Sequence, residues 1–215
     1  MIIAIDGPSA SGKSTTAKGV AKRLGIMHLD TGAMYRAVTL GLQRRQIPTD
    51  AVDEISQFLS TMELSFNEEN EIQLNGENIA IEIRSGRISS SVSAISALPI
   101  VREKMVMFQR QIAGETDCVL EGRDIGTVVF PNADFKFFLI ADVTVRAERR
   151  LKELSAMGET PSIAELIEDI ERRDRIDSSR DHSPLIQAED AISIDTSHIT
   201  IDEQINKIVN KINQK

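Results

Sequence analysis

The sequence lacks several features that would mark particular classes of protein. It has no tryptophan, one tyrosine and one cysteine among its 215 residues. A lone cysteine, Cys118, has no partner for an internal disulfide, which favours a reducing compartment. Apolar runs stay short of the roughly 18–20 residues that a membrane-spanning helix needs, and the first residues show no export signal. We therefore expect a cytoplasmic globular protein that does not enter a membrane.

Positive charge is also in the minority. The chain has 25 Lys and Arg against 33 Asp and Glu, which gives a formal net charge of −8. Nucleic-acid-binding surfaces are usually basic, so we expect no nucleic-acid partner. The arginines are nevertheless clustered, around positions 84–87, 146–150 and 172–180. Such clusters favour phosphate sites within an acidic surface, although solvated helix faces with weak salt bridges would also explain them.

The order of apolar runs predicts an α/β fold. Strands are expected at 2–6, 26–29, 118–121, 135–140 and 191–195. Helices are expected at 13–24, 33–45, 51–61, 143–156, 162–174 and 201–212. This alternation is typical of a parallel sheet, here of five strands, flanked by helices.

Residues 63–83 break the alternation of strands and helices. Apolar and polar residues alternate there on both sides of Asn75-Gly76, which is a strong signal of a β-hairpin. We expect a small antiparallel insertion with strand-like alternation through Ile79, Ile81 and Ile83. A serine-rich turn and a helix near 92–114, interrupted at Pro99, should follow.

The first strand runs into a glycine-rich loop. Residues 7–14 match the phosphate-binding loop (P-loop) pattern G-x-x-x-x-G-K-[ST], with a strand before and a helix after. Lys13 would reach the β and γ phosphates of ATP, and the Ser14 hydroxyl would bind Mg²⁺. The predicted ATP-binding residues are Gly7, Pro8, Ser9, Ala10, Ser11, Gly12, Lys13, Ser14 and Thr15. The alternative is a glycine-rich turn without a ligand.

Glu121 ends the apolar run that starts at Cys118. P-loop enzymes carry a carboxylate at such a strand end and use it to hold Mg²⁺, directly or through water. A surface carboxylate at the end of a strand is the alternative. The sequence therefore predicts ATP and Mg²⁺ as cofactors, with Ser14 and Glu121 at the metal.

Three further segments narrow the interpretation. They are DTGAMYR at 30–36, EGRDIGTVVFP at 121–131 and RDRIDSSR at 173–180. Together with the P-loop and the hairpin, in this order, they resemble bacterial-type cytidylate kinases over essentially the whole chain. The resemblance implies the P-loop nucleoside-monophosphate-kinase fold, with a core at 1–62, 115–141 and 184–215. It also implies a monophosphate-binding region with the β insertion at 63–114, and a helical lid with an adjoining helix at 142–183.

The resemblance also implies which residues bind the acceptor, CMP or dCMP. The residues implied to hold its phosphate are Arg36, Arg123 and Arg180. Those implied to read the cytosine edge are Ser93, Arg102 and Asp124. Those implied to meet the sugar or to line the pocket are Thr31, Tyr35, Arg173 and Asp177. Guanidinium suits such a site because it is permanently charged and can bind two oxygens at once.

Simpler interpretations stay open for some of these residues. Arg173 and Asp177 are four apart on an expected helix, so a salt bridge within that helix is an alternative. Ser93 belongs to a run of serines suited to a turn or a cap, and Tyr35 is suited to packing. His28, His182 and His198 show no metal-ligand spacing and are expected to be structural or surface residues.

Catalysis is assigned to Lys13 and to three arginines of the predicted lid helix, Arg146, Arg149 and Arg150. As the lid closes, they would stabilise charge on the transferred phosphoryl group. Many relatives carry Asp where this chain has Glu121, and the longer side chain would alter how Mg²⁺ or its waters are held.

The expected activity is transfer of the γ-phosphoryl group of MgATP to CMP or dCMP by a monomeric enzyme. Three alternatives are a kinase for UMP or another small acceptor, a regulatory P-loop switch and a nucleic-acid-binding ATPase. The arginine-rich acceptor segments disfavour the switch, and the net charge disfavours the ATPase.

Overall fold

The computed structural model describes residues 1–114 and 116–214. Its strands are β1 (Ile2–Asp6), β2 (Met27–Asp30), β3 (Leu64–Phe66), β4 (Ile72–Leu74), β5 (Glu77–Asn78), β6 (Cys118–Gly122), β7 (Phe135–Ile140) and β8 (Ile192–Asp195). Its α-helices are α1 (Lys13–Leu24), α2 (Thr31–Arg44), α3 (Val52–Thr61), α4 (Gly86–Ala97), α5 (Pro99–Ala113), α6 (Val143–Ser155), α7 (Ile163–Ser179) and α8 (Ile201–Ile212). A short 3₁₀ helix spans Glu82–Arg84 and a short π-helix spans Ile125–Val129.

The first of two compact units comprises Met1–Asp30 and the described residues from Arg110 onward. Its sheet has five parallel strands in the order β2-β6-β1-β7-β8, which confirms the sequence prediction. Ile3 and Ile5 of the central strand β1 are fully buried. Apolar residues in succession suit such a strand because both faces of a parallel sheet are covered.

Helices α1 and α8 supply the apolar side chains that cover this sheet. Ala17 and Val20 of α1 and Ile208 of α8 join Ile5 and Phe137 in one core cluster. Helices α6 and α7 pack against each other around a smaller cluster that includes Ala147, Leu154 and Ile170.

The carboxyl ends of the parallel strands meet at one edge of the sheet. In the strand register, Asp6 of β1 lies opposite Gly122 of β6, and Asp30 of β2 lies opposite Glu121. Ligands of open α/β sheets bind outside this edge. The edge therefore brings carboxylates that are far apart in the sequence to the start of the P-loop.

The second compact unit comprises Thr31–Gln109. Helix α2 packs against α4 and β4, and strands β3-β4-β5 form an antiparallel sheet. Asn75 and Gly76 join β4 to β5 with φ angles of 51° and 81°. Positive φ at both central residues is typical of a tight hairpin turn. The predicted antiparallel insertion is confirmed.

Two local predictions in this unit were wrong. Ile79 N–H still donates to Ile72 O of β4, but Ile81 and Ile83 do not continue the hairpin, since the backbone turns there and Ile83 N–H donates to Ile79 O. Ile79 and Ile83 are buried and Ile81 is exposed, so the alternation of these residues reflects a turn rather than a strand. The serine-rich segment is helical, because α4 begins at Gly86 instead of near residue 92. The predicted interruption at Pro99 is confirmed, since α5 starts there.

The two compact units differ from the functional division predicted from the sequence. Residues 31–62, predicted as core, fall in the second unit. The division into core, monophosphate-binding region and lid stays a prediction. Its boundary at residue 115, and its end at residue 215, lie outside the described residues. Within the described part of the chain, no helix combines the length and the apolar character needed to cross a bilayer.

Candidate active site

The P-loop wraps closely against the end of the sheet. Gly7 has a φ of 150°, and a Cβ at this position would lie 2.1 Å from the carbonyl oxygen of Leu139. Only glycine fits so close to a neighbouring backbone. At the other end of the loop, Lys13 Nζ donates a 2.6 Å hydrogen bond to the carbonyl oxygen of Pro8. The Lys13 side chain therefore folds back over the P-loop, which is the predicted ATP-binding segment.

Lys13 is buried, and its electrostatic surroundings are mixed. Burial, followed by the positive charge of Arg123, holds the pKa of Lys13 well below its usual range, although Glu121, Asp6 and Asp174 act in the opposite direction. A buried ammonium without a full counter-charge is costly. An anionic ligand bound at the P-loop would supply the counter-charge that Lys13 lacks.

Glu121 connects the P-loop to strand β2. Its Oε2 accepts a 2.6 Å hydrogen bond from Ser14 Oγ, and its Oε1 lies 3.1 Å from Nε2 of His28. Only 3% of Glu121 is exposed, so the surface-carboxylate interpretation was wrong. His28 was expected to be structural or on the surface, and its contact with this carboxylate is compatible with a structural role. The sequence analysis did not use the position of His28 near the end of β2. This strand pairs with β6, which carries Glu121.

The donor set at Ser14 and Glu121 fits Mg²⁺. Hydroxyl and carboxylate oxygens are the ligands that this ion prefers, and Mg²⁺ usually takes only one or two protein groups, completed by phosphate oxygens and water. Across residues 1–114 and 116–214, no group of three or more His, Cys, Asp or Glu is arranged to hold a metal. An ion at Ser14 and Glu121 would therefore depend on a bound nucleotide for its remaining ligands.

Three arginines converge on Asp177, near the C-terminal end of α7. Arg123 Nε donates a 2.9 Å hydrogen bond to Asp177 Oδ2, and Arg180 Nη1 lies 4.0 Å from Asp177 Oδ1. Burial by itself raises the pKa of Asp177, but Arg123, Arg180 and Arg173 together hold that pKa below its usual value. The three guanidinium groups outnumber the two carboxylates that pair with them, Asp177 and Asp169. This cluster suits an anion.

Arg173 belongs to the same cluster and is almost fully buried. Burial, then the charge of Arg123, lowers the pKa of Arg173 to about 10. Arg173 forms an ion pair with Asp169, with Nη1 4.0 Å from Oδ2. Asp177 instead pairs with Arg123 and Arg180, so the alternative of a simple Arg173–Asp177 helix salt bridge is not what the structure favours.

Asp124 lies next to this cluster in the chain, between β6 and the π-helix. Only 3% of the residue is exposed. Its carbonyl oxygen accepts from the N–H groups of Val128 and Val129, at 2.9 and 3.2 Å. The π-helix itself was not predicted. Its tight hydrogen bonding fixes the backbone directly after Arg123 and Asp124.

The three arginines predicted for the lid lie on α6, as expected, and have different partners. Arg146 Nη1 donates to Ser9 O in the P-loop, at 3.2 Å, and to Asp174 Oδ2, at 2.5 Å. Asp174 Oδ1 also accepts from Ser9 N–H at 3.4 Å, so one carboxylate joins the loop to the helix. Nε of Arg146 is buried without a hydrogen-bond partner among the described residues.

Arg149 and Arg150 differ from Arg146 in their surroundings. Arg149 Nη2 donates to Thr196 O at 2.6 Å, and Thr196 Oγ1 donates to Ser11 O at 2.9 Å. Arg149 is thus joined to the P-loop through one threonine that the sequence analysis did not identify. Arg150 forms an ion pair with Glu153 on its own helix, at 2.9 Å.

The second unit holds the other half of the predicted acceptor residues. Its members are Thr31, Tyr35, Arg36, Ser93 and Arg102. Arg36 Nη1 donates to Ser89 Oγ at 2.7 Å, and Ser89 is a partner that sequence reasoning missed. The guanidinium of Arg102 lies over the ring of Tyr35, 5.3 Å from its centroid.

Ser93 and Tyr35 test two of the simpler interpretations. Ser93 is buried inside α4, with 2% of the residue exposed, so its interpretation as a turn or cap residue was wrong. Tyr35 is buried in α2, where packing and pocket-lining both remain open. The acceptor roles of all ten residues stay predictions.

Comparison with known proteins agrees with this geometry. A family model described as cytidylate kinase matches residues 3–214. A cytidylate kinase of Clostridioides difficile is 46% identical over 213 residues, covering 99% of this chain and 98% of that protein. A cytidylate kinase of Geobacter sulfurreducens is 44% identical over 218 residues, covering 100% of this chain and 94% of that protein.

Solved structures agree on the fold. A shikimate kinase from Bacteroides thetaiotaomicron has a TM-score of 0.53 at 12% identity, covering 99% of this chain and 98% of that one. The protein TT1252 of Thermus thermophilus has a TM-score of 0.51 at 14% identity, covering 100% and 96%. Likeness at such low identity concerns the fold alone, whereas the family match and the relatives extend over nearly the whole sequence. The chain therefore belongs to the cytidylate kinase family.

Proposed function

We propose that this protein transfers the γ-phosphoryl group of ATP to CMP or dCMP, giving ADP and CDP or dCDP. The observation that carries the proposal is the position of Arg123. It hydrogen-bonds Asp177 in the arginine cluster, and its charge also lowers the pKa of Lys13 in the P-loop. One positive side chain thus lies close both to a phosphate loop and to a second group of cations. A phosphoryl transferase with an anionic acceptor needs this arrangement.

The chemistry requires positioning and charge stabilisation rather than a general base. The attacking atom is an oxygen of the acceptor phosphate, which is already an anion at neutral pH. Lys13 and the loop N–H groups would hold the donor phosphates, and Arg123 and Arg180 would hold the acceptor phosphate in line with them. Arg146 contacts the P-loop at Ser9 and would stabilise charge on the transferred group. Mg²⁺ held at Ser14 and Glu121 would neutralise charge on the β and γ phosphates.

Selection of cytosine is assigned to Asp124, with Ser93 and Arg102. A buried carboxylate can accept a hydrogen bond from the exocyclic amine of cytosine. Uracil would present a carbonyl oxygen in the same place, and repulsion would replace the bond. Sites that hydrogen-bond a substrate group discriminate strongly, because a mismatch leaves buried polar groups unpaired. A cytoplasmic, monomeric enzyme is part of the same proposal.

The acceptor is tested by measuring ADP release from ATP with CMP, dCMP, UMP and AMP as acceptors. We expect CMP and dCMP to give the highest kcat/KM, with UMP lower and AMP lowest. Equal rates with CMP and AMP would contradict the assignment of Asp124. ATP turnover that does not respond to any acceptor would favour a regulatory nucleotide switch instead.

A substitution at Asp124 tests the division of labour between the two substrates. Asp124→Asn should reduce the preference for CMP over UMP by about tenfold or more, because the amide can donate to the uracil carbonyl as well as accept. ATP affinity, measured in the absence of an acceptor, should stay within threefold of the wild type. Loss of ATP binding in this variant would mean that Asp124 serves the donor site.

A further inference from the structure

Asp6 has no role in the proposed reaction, yet it occupies a central place in the fold. It is the last residue of β1, between β6 and β7 in the sheet, and it directly precedes the P-loop. Only 5% of the residue is exposed. A buried carboxylate at the end of a central strand requires specific partners, because an unpaired buried charge is very costly.

Both carboxylate oxygens of Asp6 accept hydrogen bonds from backbone N–H groups of residues that are distant in the sequence. Oδ1 accepts from Ile125 N–H at 2.9 Å, and Oδ2 accepts from Gly126 N–H at 2.8 Å. These two residues begin the π-helix, directly after Asp124. The first N–H groups of a helix have no partner within it. Asp6 therefore fixes the position of a segment that lies 119 and 120 residues further along the chain.

The backbone of Gly126 lies close to the side chains of Asp6 and Lys136. A Cβ at Gly126 would lie 3.4 Å from Asp6 Oδ2 and 3.1 Å from Cδ of Lys136. The Gly126 backbone therefore lies in van der Waals range of the carboxylate, and an added Cβ would first meet the side chain of Lys136.

The ionised form of Asp6 is disfavoured at this buried position. Burial, the largest effect, raises the pKa of Asp6 to about 6, although the two N–H groups and Lys13 act in the opposite direction and Asp124 adds to the increase. The carboxylate is therefore an unfavourable way of holding two N–H groups. Its benefit has to lie in geometry, since a fork of two oxygens holds two consecutive N–H groups at once.

We infer that Asp6 is a positioning residue that couples the phosphate loop to the segment carrying Arg123 and Asp124. The inference rests on the proposed function, because it assumes that this segment binds the acceptor. Asp6 and Gly7 are adjacent, so the carboxylate sets the distance between the start of the P-loop and the first turn after Asp124. Asp6 contacts neither substrate in this scheme. It acts through the backbone of Ile125 and Gly126.

The test compares Asp6→Asn with the wild-type chain in two measurements. An asparagine offers one oxygen and one NH₂ group, so one of the two backbone N–H groups loses its acceptor. Amide hydrogen exchange at Ile125 or Gly126, whichever loses its acceptor, should become at least tenfold faster. In addition, kcat/KM for CMP should fall at least tenfold and the CMP-to-UMP ratio should narrow. The dissociation constant for ATP alone should change by less than threefold.

The control is Asp134→Asn, whose carboxylate contacts the opposite end of β1. Oδ2 of Asp134 accepts from Ile2 N–H at 2.7 Å, so this variant also alters a carboxylate that binds the backbone, here at an exposed place remote from the P-loop. This variant should leave the kinetics with CMP, UMP and ATP unchanged. If Asp6→Asn does not fold, Asp6→Glu takes its place, since the longer side chain keeps the charge but cannot hold both N–H groups at the same distances. The same changes are then expected in smaller size.

Every outcome decides the inference. Faster exchange together with a loss specific to the acceptor supports it. Unchanged exchange, unchanged kcat/KM for CMP, or a loss of ATP binding equal to the loss for CMP overturns it. Failure of the proposed function is recognised separately, since the wild-type chain would then show no preference for CMP while the exchange measurement still reports on Asp6.

Discussion

Ser14 Oγ donates a 2.6 Å hydrogen bond to Oε2 of Glu121, a residue 107 positions further along the chain. The serine opens the first turn of α1, and the glutamate lies near the end of β6. Because β1 and β6 are neighbouring parallel strands, the helix that follows one meets the carboxyl end of the other. The proposed metal site consists of these two oxygens. The other carboxylate oxygen of Glu121, Oε1, lies 3.1 Å from Nε2 of His28.

Replacing Glu121 with glutamine should raise the Mg²⁺ requirement. The variant keeps the size and an oxygen that can accept from Ser14, but it loses the negative charge that attracts the ion. We expect the Mg²⁺ concentration for half-maximal activity to rise by about tenfold or more. Glu168→Gln, an exposed change on α7, is the control and should have no effect. An unchanged Mg²⁺ dependence in Glu121→Gln would remove Glu121 from the metal site.

Replacing Arg146 with lysine should reduce turnover more than acceptor binding. Lysine keeps the charge but lacks the guanidinium Nη1, which donates to both Ser9 O and Asp174 Oδ2. We expect kcat to fall by about tenfold or more while the KM for CMP stays within threefold. Steady-state kinetics of Arg175→Lys provide the control, because that side chain is 68% exposed. A rise in KM with normal kcat would place Arg146 in acceptor binding instead.

Replacing Asp177 with alanine should destabilise the fold through charge repulsion. The variant leaves Arg123 and Arg180 without the carboxylate that pairs with both, and breaking a buried ion pair from one side costs about 3 kcal/mol or more. Urea unfolding measures the loss, and added sulfate should restore part of it by neutralising the arginines. Asp181→Ala, an exposed change, should stay within about 0.5 kcal/mol of the wild type.

The same residue has a defined pH dependence. The folded-state pKa of Asp177 is lowered, so its contribution is present above the unfolded pKa of about 3.9 and is lost as the pH falls through the folded value. The stability difference between wild type and Asp177→Ala should therefore shrink in acid. A difference that stays constant down to pH 3 would argue against the ionised carboxylate as its source.

Asp6 has the opposite pH dependence. Its folded-state pKa is raised to about 6, so folding favours the protonated form. The stabilisation from this proton is present below the unfolded pKa of about 3.9, and it is lost as the pH rises through about 6. The two values correspond to about 3 kcal/mol of unfolding free energy lost over this range.

Comparison with Asp6→Asn isolates this contribution. Urea unfolding at pH 4.5 and pH 7 gives the free energy of unfolding of the wild type and of the variant. This free energy should fall in the wild type relative to the variant as the pH rises, because asparagine has no proton to lose. A stability difference that is the same at both pH values would mean that the pKa of Asp6 is close to its ordinary value.

The sequence by itself determined the features that depend on local or periodic patterns. The P-loop, the five parallel strands and the hairpin at Asn75-Gly76 follow from residue types at fixed spacings, because backbone conformation and alternation of burial are local properties. The family resemblance added the acceptor residues. Local reasoning went wrong after Ile79, where a turn buries Ile79 and Ile83 and exposes Ile81, and at the serines of α4.

Only the tertiary structure decided which charged groups meet. Asp6 and Gly126, Glu121 and His28, and Arg123 and Asp177 are separated by 120, 93 and 54 residues. Nothing in the local sequence specifies these partners, because they are selected by strand order and by the packing of α7. The π-helix after Asp124 also depends on such a partner, since the Asp6 carboxylate binds its first N–H groups. The physical reason is that buried charges are tolerated only where the whole fold brings their counterparts to them.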